Sequence, residues 1–242
     1  MNRGILICCQ IIPLFVFFQS AAPAQEVLRG QVKVELMPIY GAYMDAEYPL
    51  EKDMAYRRAL EEAALFFSAQ IYGWSFHYDI GERARGIGEN FELTPLGEIR
   101  WGDPRLFVTQ AHFENRDFRF TSHELADVLT VWLDFRPTDI QRRRLEAWKT
   151  GMVRTAQAIG RGPLGGPADN SDWLTIKKKT LEEAAREAVR AMLQGSERNR
   201  PREAAGYICL QTFPVFWMDA GRWAAQARFR VQIKEIIPFS AY

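Results

Sequence analysis

His77, His112 and His123 are the residues whose type and spacing first invite a chemical reading. His112 and Glu114 share a face of an apolar strand pattern, His123-Glu124 follows, and Asp127 lies four residues beyond His123. Imidazoles and carboxylates in that number can ligate zinc or another divalent ion. The run from His123 to Asp127 lacks the second histidine of a helical metalloprotease motif, and it does not read as a helix. Ordinary polar residues at strand ends account for the set more simply, so neither a metal nor a cofactor is expected. No serine nucleophile elbow is present, Cys209 has no charged neighbour in sequence, and no carboxylate pair stands out as an acid/base couple. No catalytic residue is assigned on this basis.

A binding reading has more to rest on. From Arg222 to Lys234 the residues Trp223, Ala225, Ala227, Phe229, Val231 and Ile233 alternate with Arg222, Gln226, Arg228, Arg230, Gln232 and Lys234. A period of two with one apolar and one largely basic face predicts a half-buried strand. A solvated sheet face is the plain meaning of such a pattern. The sharper one makes Arg222, Arg228, Arg230 and Lys234, with Trp217 and Trp223 at the turn, a surface that docks on a protein, a phospholipid headgroup or a cell-wall polymer. Asp219-Ala220-Gly221 supplies a tight reversal, and Tyr207 to Phe216 a partner strand, so the C-terminus reads as a long antiparallel hairpin.

The elements that must position these residues follow from periodicity. Val32 to Tyr40 reads as a strand ended near Pro38. A helix opens at Pro49 and Asp53 and runs to about Ile71, with Ala55, Ala59 and Ala63 as a small-residue stripe and Gly73 as its stop. Trp74 to Ile80 alternates as a strand, and Gly81 to Gly97, with four glycines and a proline, reads as a loop. Gly86-Ile87-Gly88 lacks the following helix that a phosphate-binding motif requires. Leu106 to Phe113 and Phe118 to Thr121 suggest a hairpin about Asn115-Arg116-Asp117, and Val128 to Phe135 a central strand. Thr138 and Gln141 form a capping box for a helix presenting Leu145, Trp148, Met152, Ala156 and Ile159, with Arg142, Arg143, Arg144, Lys149 and Arg154 on its wet face. Gly160 to Asn170 reads as a linker. A further helix spans Ser171 to Gln194, re-nucleated at Thr180 with Glu183 three residues on.

Together these predict an α+β protein, antiparallel sheet covered by about three helices. Leu-Glu-Glu-Ala-Ala occurs at Leu60 to Ala64 and again at Leu181 to Ala185, each time in a helix followed by paired strands, which hints at a duplicated helix-plus-hairpin unit. The expected division is a signal peptide (1–24), a first unit (25–160), a linker (161–170) and a second unit (171–242), the two units being able to pack as one domain.

The 242 residues, 48% apolar and 25% charged, are enough to bury a real core. A net charge of +1 gives no electrostatic reason for a nucleic-acid partner. At the N-terminus, Asn2-Arg3, the apolar run Ile5 to Phe18 and small residues before Ala24 have the three-part layout of a cleaved signal peptide. Periplasm or secretion is therefore the expected location, with no membrane span left after cleavage. Cys8 and Cys9 leave with the signal, and Cys209 then has no internal disulfide partner and reads as a small buried hydrophobe on an apolar strand face.

From Gln31 to Phe135 the order is strand, helix striped by Ala55, Ala59 and Ala63, loop, then the strands Leu106 to Phe113 and Val128 to Phe135. This order resembles the N-terminal domain of exported flagellar ring-assembly proteins and of related small outer-membrane lipoproteins, although the lipid-attachment cysteine of the lipoproteins is missing. The resemblance implies a non-catalytic module that assembles with envelope structures, with no catalytic residues to carry over.

The expectation is an exported, non-catalytic binding or scaffold protein of the bacterial cell envelope, with an envelope protein or oligomer as partner and a contact to an anionic surface open to its basic face. The alternative is a periplasmic hydrolase or metal-binding enzyme using His112, Glu114 and His123. Export is directly testable. Mass spectrometry of the protein from its native host should give a mature N-terminus at or near Gln25, whereas an intact Met1 in a cytoplasmic fraction would remove the localisation.

Overall fold

The computed structural model describes residues 27–36, 50–81, 86, 88–114, 127–150, 152–163, 173–196 and 201–238. The signal-peptide region, Pro38, the Phe118 to Thr121 strand, His123 and most of the 161–170 linker lie outside the described residues.

Among the described residues the chain runs β1 (Leu28–Glu35), α1 (Lys52–Ile71), β2 (Trp74–Asp79), β3 (Asn90–Pro95), β4 (Leu106–Glu114), β5 (Val128–Phe135), α2 (Asp139–Ala147), β6 (Arg154–Arg161), α3 (Trp173–Ser196), β7 (Pro201–Leu210), β8 (Val215–Asp219) and β9 (Arg222–Pro238). The fold is α+β, and every strand pairing is antiparallel. A small sheet has the order β1-β5-β4; a larger one runs β3-β2-β7-β9-β6, with β8 also on β9. Strands from both halves of the chain thus share the larger sheet.

Helix α1 packs on β1 and β5 of the small sheet and on β7 of the larger, so it lies between the two, while α3 covers β6 and β9. The alanine stripe Ala55, Ala59 and Ala63 is wholly buried. Phe67 stacks on Phe135 of the small sheet at 5.6 Å and meets Phe213, in the β7–β8 connection, edge-on at 4.8 Å. Aromatic pairs of this kind add to the burial of large apolar area. Gly30 makes room for them: a Cβ there would fall 2.1 Å from the Phe213 ring.

The C-terminal hairpin forms with an interruption. Leu210 pairs with Phe229 and Val215 with Gln226, so β7 and β8 follow one edge of β9 on either side of residues 211–214. Ala220 and Gly221, at φ 49° and 77°, make the reversal, as two-residue hairpin loops require. Ala225, Ala227, Phe229 and Val231 are buried while Gln226 and Arg228 are exposed, the alternation that the pattern predicts.

Three local expectations are corrected. Within the expected loop 81–97, Phe91 and Leu93 alternate with Glu92 and Thr94 to form β3, so a short period-two signal outweighs the flanking glycines. The helix opened by the Thr138–Gln141 capping box ends at Ala147, where the Trp148 indole donates to the Ile71 carbonyl at 3.2 Å. Ala156 and Ile159 are therefore in a strand, β6, and Met152, expected on the apolar face, is 75% exposed. Helix α3 is continuous through Thr180, whose hydroxyl donates to the Ile176 carbonyl at 2.7 Å and so is not a cap.

Gly160 and Arg161, at the start of the expected linker, belong to β6. Ala156, Ala158 and Gly160 form the inward side of that strand against α3, whose Ala184 and Ala188 are wholly buried. A Cβ on Gly160 would meet the Thr180 carbonyl oxygen and the Ala184 nitrogen at 2.2 Å. Both are helix backbone and cannot swing aside. Gly160→Ala should therefore cost about 1–3 kcal/mol in urea unfolding, whereas Gly102→Ala, with nothing within 4 Å of its added carbon, should stay within about 0.5 kcal/mol.

Candidate functional site

The exposed side of the larger sheet can be traced strand by strand from the register. Thr94, Ser75, Tyr207 and Gln232 face one another across β3, β2, β7 and β9, and Arg230 and Arg228 continue to Thr155 and Gln157 on β6. Thr94, Tyr207, Arg228, Thr155 and Gln157 are exposed, so much of this face is wet, while Cys209 on the same side is buried near Trp148. The face is wet because α3 covers only the other side.

The candidate docking residues divide between two places. Arg228 is exposed and donates to Gln157 at 3.3 Å. Arg230 is half-buried on the same face. Lys234 is exposed where β9 bulges against β7, its ammonium 5.8 Å from the Tyr207 ring. Arg222 is half-buried beside the turn, with its Nε shielded from solvent. Trp223 instead lines a cavity from the inward side of β9, whereas Trp217, opposite Ala224, keeps to the same side of the hairpin as Arg222.

His112 and Glu114 lie at the far end of the small sheet. His112 is exposed, and Glu114 accepts from the Thr130 hydroxyl at 3.0 Å and sits 3.8 Å from Lys33. His123 is outside the described residues, so the proposed partnership cannot be built from them. His77 belongs to a different group: its ligand atoms and those of Asp79 and Glu203 lie within 4.8 Å of one another on β2 and β7. His77 is exposed, and exposed acidic groups gather in this way without a metal.

Cys209 alternates with the core residues Ile208 and Leu210 and lies across from Arg230, so it stands on the other side of β7 from the main core. It is nonetheless fully buried, beside Gly73 and Trp148. Burial pushes its thiol up to about 12. A thiol so protonated is not a nucleophile at neutral pH.

The site that sequence reasoning missed joins the two long helices. Lys177 of α3 and Glu62 of α1 form an ion pair at 2.5 Å with side chains only 6% and 3% exposed. The Lys177 ammonium lies 5.1–5.5 Å from the rings of Trp173, Phe216 and Trp223. Desolvation pushes the Glu62 carboxyl above its ordinary range, and Lys177 pulls it part of the way back. The pair borders a cavity of about 370 Å³ walled by β1, α1, α3 and the β8–β9 hairpin, into which Lys33, Glu35 and Glu114 also face. A faint signal was available: Lys177 and Glu62 fall at core positions of their helical stripes, and their charges are opposite.

A second cleft, of about 720 Å³, lies beside the same pair of helices. Glu61 and Ala64 from the first Leu-Glu-Glu-Ala-Ala segment and Leu181 and Glu182 from the second line it, so the two copies meet across one cavity. Trp74, Leu93 and Trp101 close its other wall.

Removing one member of the buried pair strands the other charge. Glu62→Met or Lys177→Met alone should each cost about 3–5 kcal/mol, and the two together far less, in a urea-unfolding double-mutant cycle. The raised Glu62 group sets the sign of the pH dependence. Its contribution to stability is full below the ordinary glutamate range, near about 4.3, and is lost as pH rises through the raised native value. Relative to the double variant, the wild type should therefore lose stability across that window.

A protein-family model matches the chain over residues 16–239. An uncharacterized protein of Treponema pallidum (strain Nichols) is 24% identical over 182 residues, covering 75% of this chain and 69% of that one. No solved structure matches. With nearly its whole length inside one family model, the chain belongs to that family.

Proposed function

We propose that the chain is an exported, non-catalytic binding or scaffold protein of the bacterial cell envelope that docks an acidic partner protein on the wet face of its larger sheet. The observation that carries this reading is the open face itself, with Arg228 exposed and Arg230 beside it at its β9–β6 end. A solvated sheet surface suits protein association, where complementary charge sets orientation and encounter rate. The layout of residues 2–24 supports export, and the strand, striped helix and antiparallel strands from Gln31 to Phe135 support an envelope-assembly role by resemblance. A bacterial setting agrees with the organism of the Treponema relative. The exposed His112, with Glu114 already held by Lys33 and Thr130, gives the hydrolase reading no comparable support.

Docking on this face makes binding depend on both arginines and on salt. In pull-downs from cross-linked envelope, the Arg228→Ala/Arg230→Ala variant should keep the wild-type circular dichroism spectrum and lose partners that the wild type retains. Those partners should also weaken as salt rises. Capture of the same partners by wild type and variant, at any ionic strength, would remove the sheet face as the docking surface.

A further inference from the structure

The cavity beside Glu62 and Lys177 is separate from the docking face, and its lining selects a different kind of ligand. Phe66, Phe216, Trp223 and the valines 32 and 128 give it apolar and aromatic walls. Two lysines and three glutamates supply its charge, which leaves a formal excess of one negative charge. None of these ionic groups is idle. Lys177 is paired with Glu62, Lys33 with Glu114, Glu114 also accepts from Thr130, and Glu35 has a partner of its own.

That pairing decides between ligand classes. An anionic ligand would find no unpaired cation here, and a cationic one only Glu35, which already has a partner; either would have to displace an existing contact. A neutral ligand rich in hydroxyl groups meets no such penalty. Each carboxylate keeps lone pairs beyond those its partner uses, and each ammonium keeps N–H donors. A hydroxyl both donates and accepts, so it satisfies either without disturbing the pair. Hydrogen bonds to charged groups are also the strong ones. The aromatic walls suit the other surface of such a molecule, the C–H face of a saturated ring. A purely apolar ligand would cover these polar atoms without bonding to them.

We propose that this cavity is a binding site for a neutral sugar, with a pyranose ring set against Phe216 and Trp223 and its hydroxyls bonded to Glu62, Lys177 and the rim pair Lys33–Glu114. About 370 Å³ lies within the range of small-molecule sites and holds a monosaccharide or disaccharide. The site does not depend on the arginines of the docking face, so either reading can fail without the other.

The test is a titration of the full-length exported chain with glucose, galactose, N-acetylglucosamine and the β-1,4-linked disaccharides of glucose and N-acetylglucosamine. Glucosamine and glucuronate serve as charged counterparts. Tryptophan fluorescence and calorimetry report binding. At least one neutral sugar should give a saturable change at millimolar concentration, nearly independent of salt and at least tenfold tighter than either charged counterpart. Trp223→Ala should abolish it. Because Trp223 is half-buried, Lys33→Ala provides a second test at an exposed position of the rim pair; it should weaken sugar binding at least tenfold and leave the circular dichroism spectrum and unfolding midpoint unchanged. No saturable change with any of the neutral sugars would overturn the proposal. Tighter binding of glucosamine or glucuronate would overturn it equally, as would full binding by a folded Lys33→Ala variant.

Discussion

Backbone-level closeness governs this fold. Gly160 approaches the Thr180–Ala184 turn of α3 so nearly that no side chain fits between them, and Ala184 and Ala188 continue the contact. On α1 the stripe Ala55, Ala59, Ala63 is likewise wholly buried. Small residues contribute little apolar area of their own, but they let larger neighbours such as Phe66, Phe67 and Phe229 reach across and fill the core at native density. A helix held this close to a sheet cannot shift without breaking contacts along its whole length. The relation of α3 to β6 and β9 in turn sets where Lys177 stands, and with it the cavity at the α1–α3 seam.

Much of the fold is legible from period alone. The alternation from Arg222 to Lys234 is realised as a strand with a buried and a wet side, and the Thr138–Gln141 capping box opens a helix where expected. The misreadings share a cause. Ala156 to Gly160 consists of residues small enough for either a helix or a strand, and only contact with α3 and pairing to β9 decide between them. The same glycine that looks like the start of a linker in sequence is required by a helix distant from it in the chain. Propensity is local and cannot register such a demand.

The wet sheet face was legible because it is one strand's pattern. The cavity was not, because its lining comes from β1, α1, α3 and the β8–β9 hairpin, and pairing between Glu62 and Lys177 spans 115 residues. Charged residues within an amphipathic stripe look like errors of periodicity until the partner is known. Trp223, read as a companion of the basic residues, takes its place in that lining instead, beside Phe216 and Lys177.

The burial of Cys209 has a consequence for the compartment proposed above. An odd thiol is a liability among oxidants and oxidised partners, because thiolate attack is how mixed disulfides begin. With its thiol raised to about 12, roughly one molecule in 10⁵ carries the reactive anion at pH 7, and Trp148 and Gly73 shield even that one. The folded chain is thus kinetically silent towards disulfide exchange. For an exported chain, as proposed, the vulnerable moment is the interval before folding, when Cys209 is still open to capture.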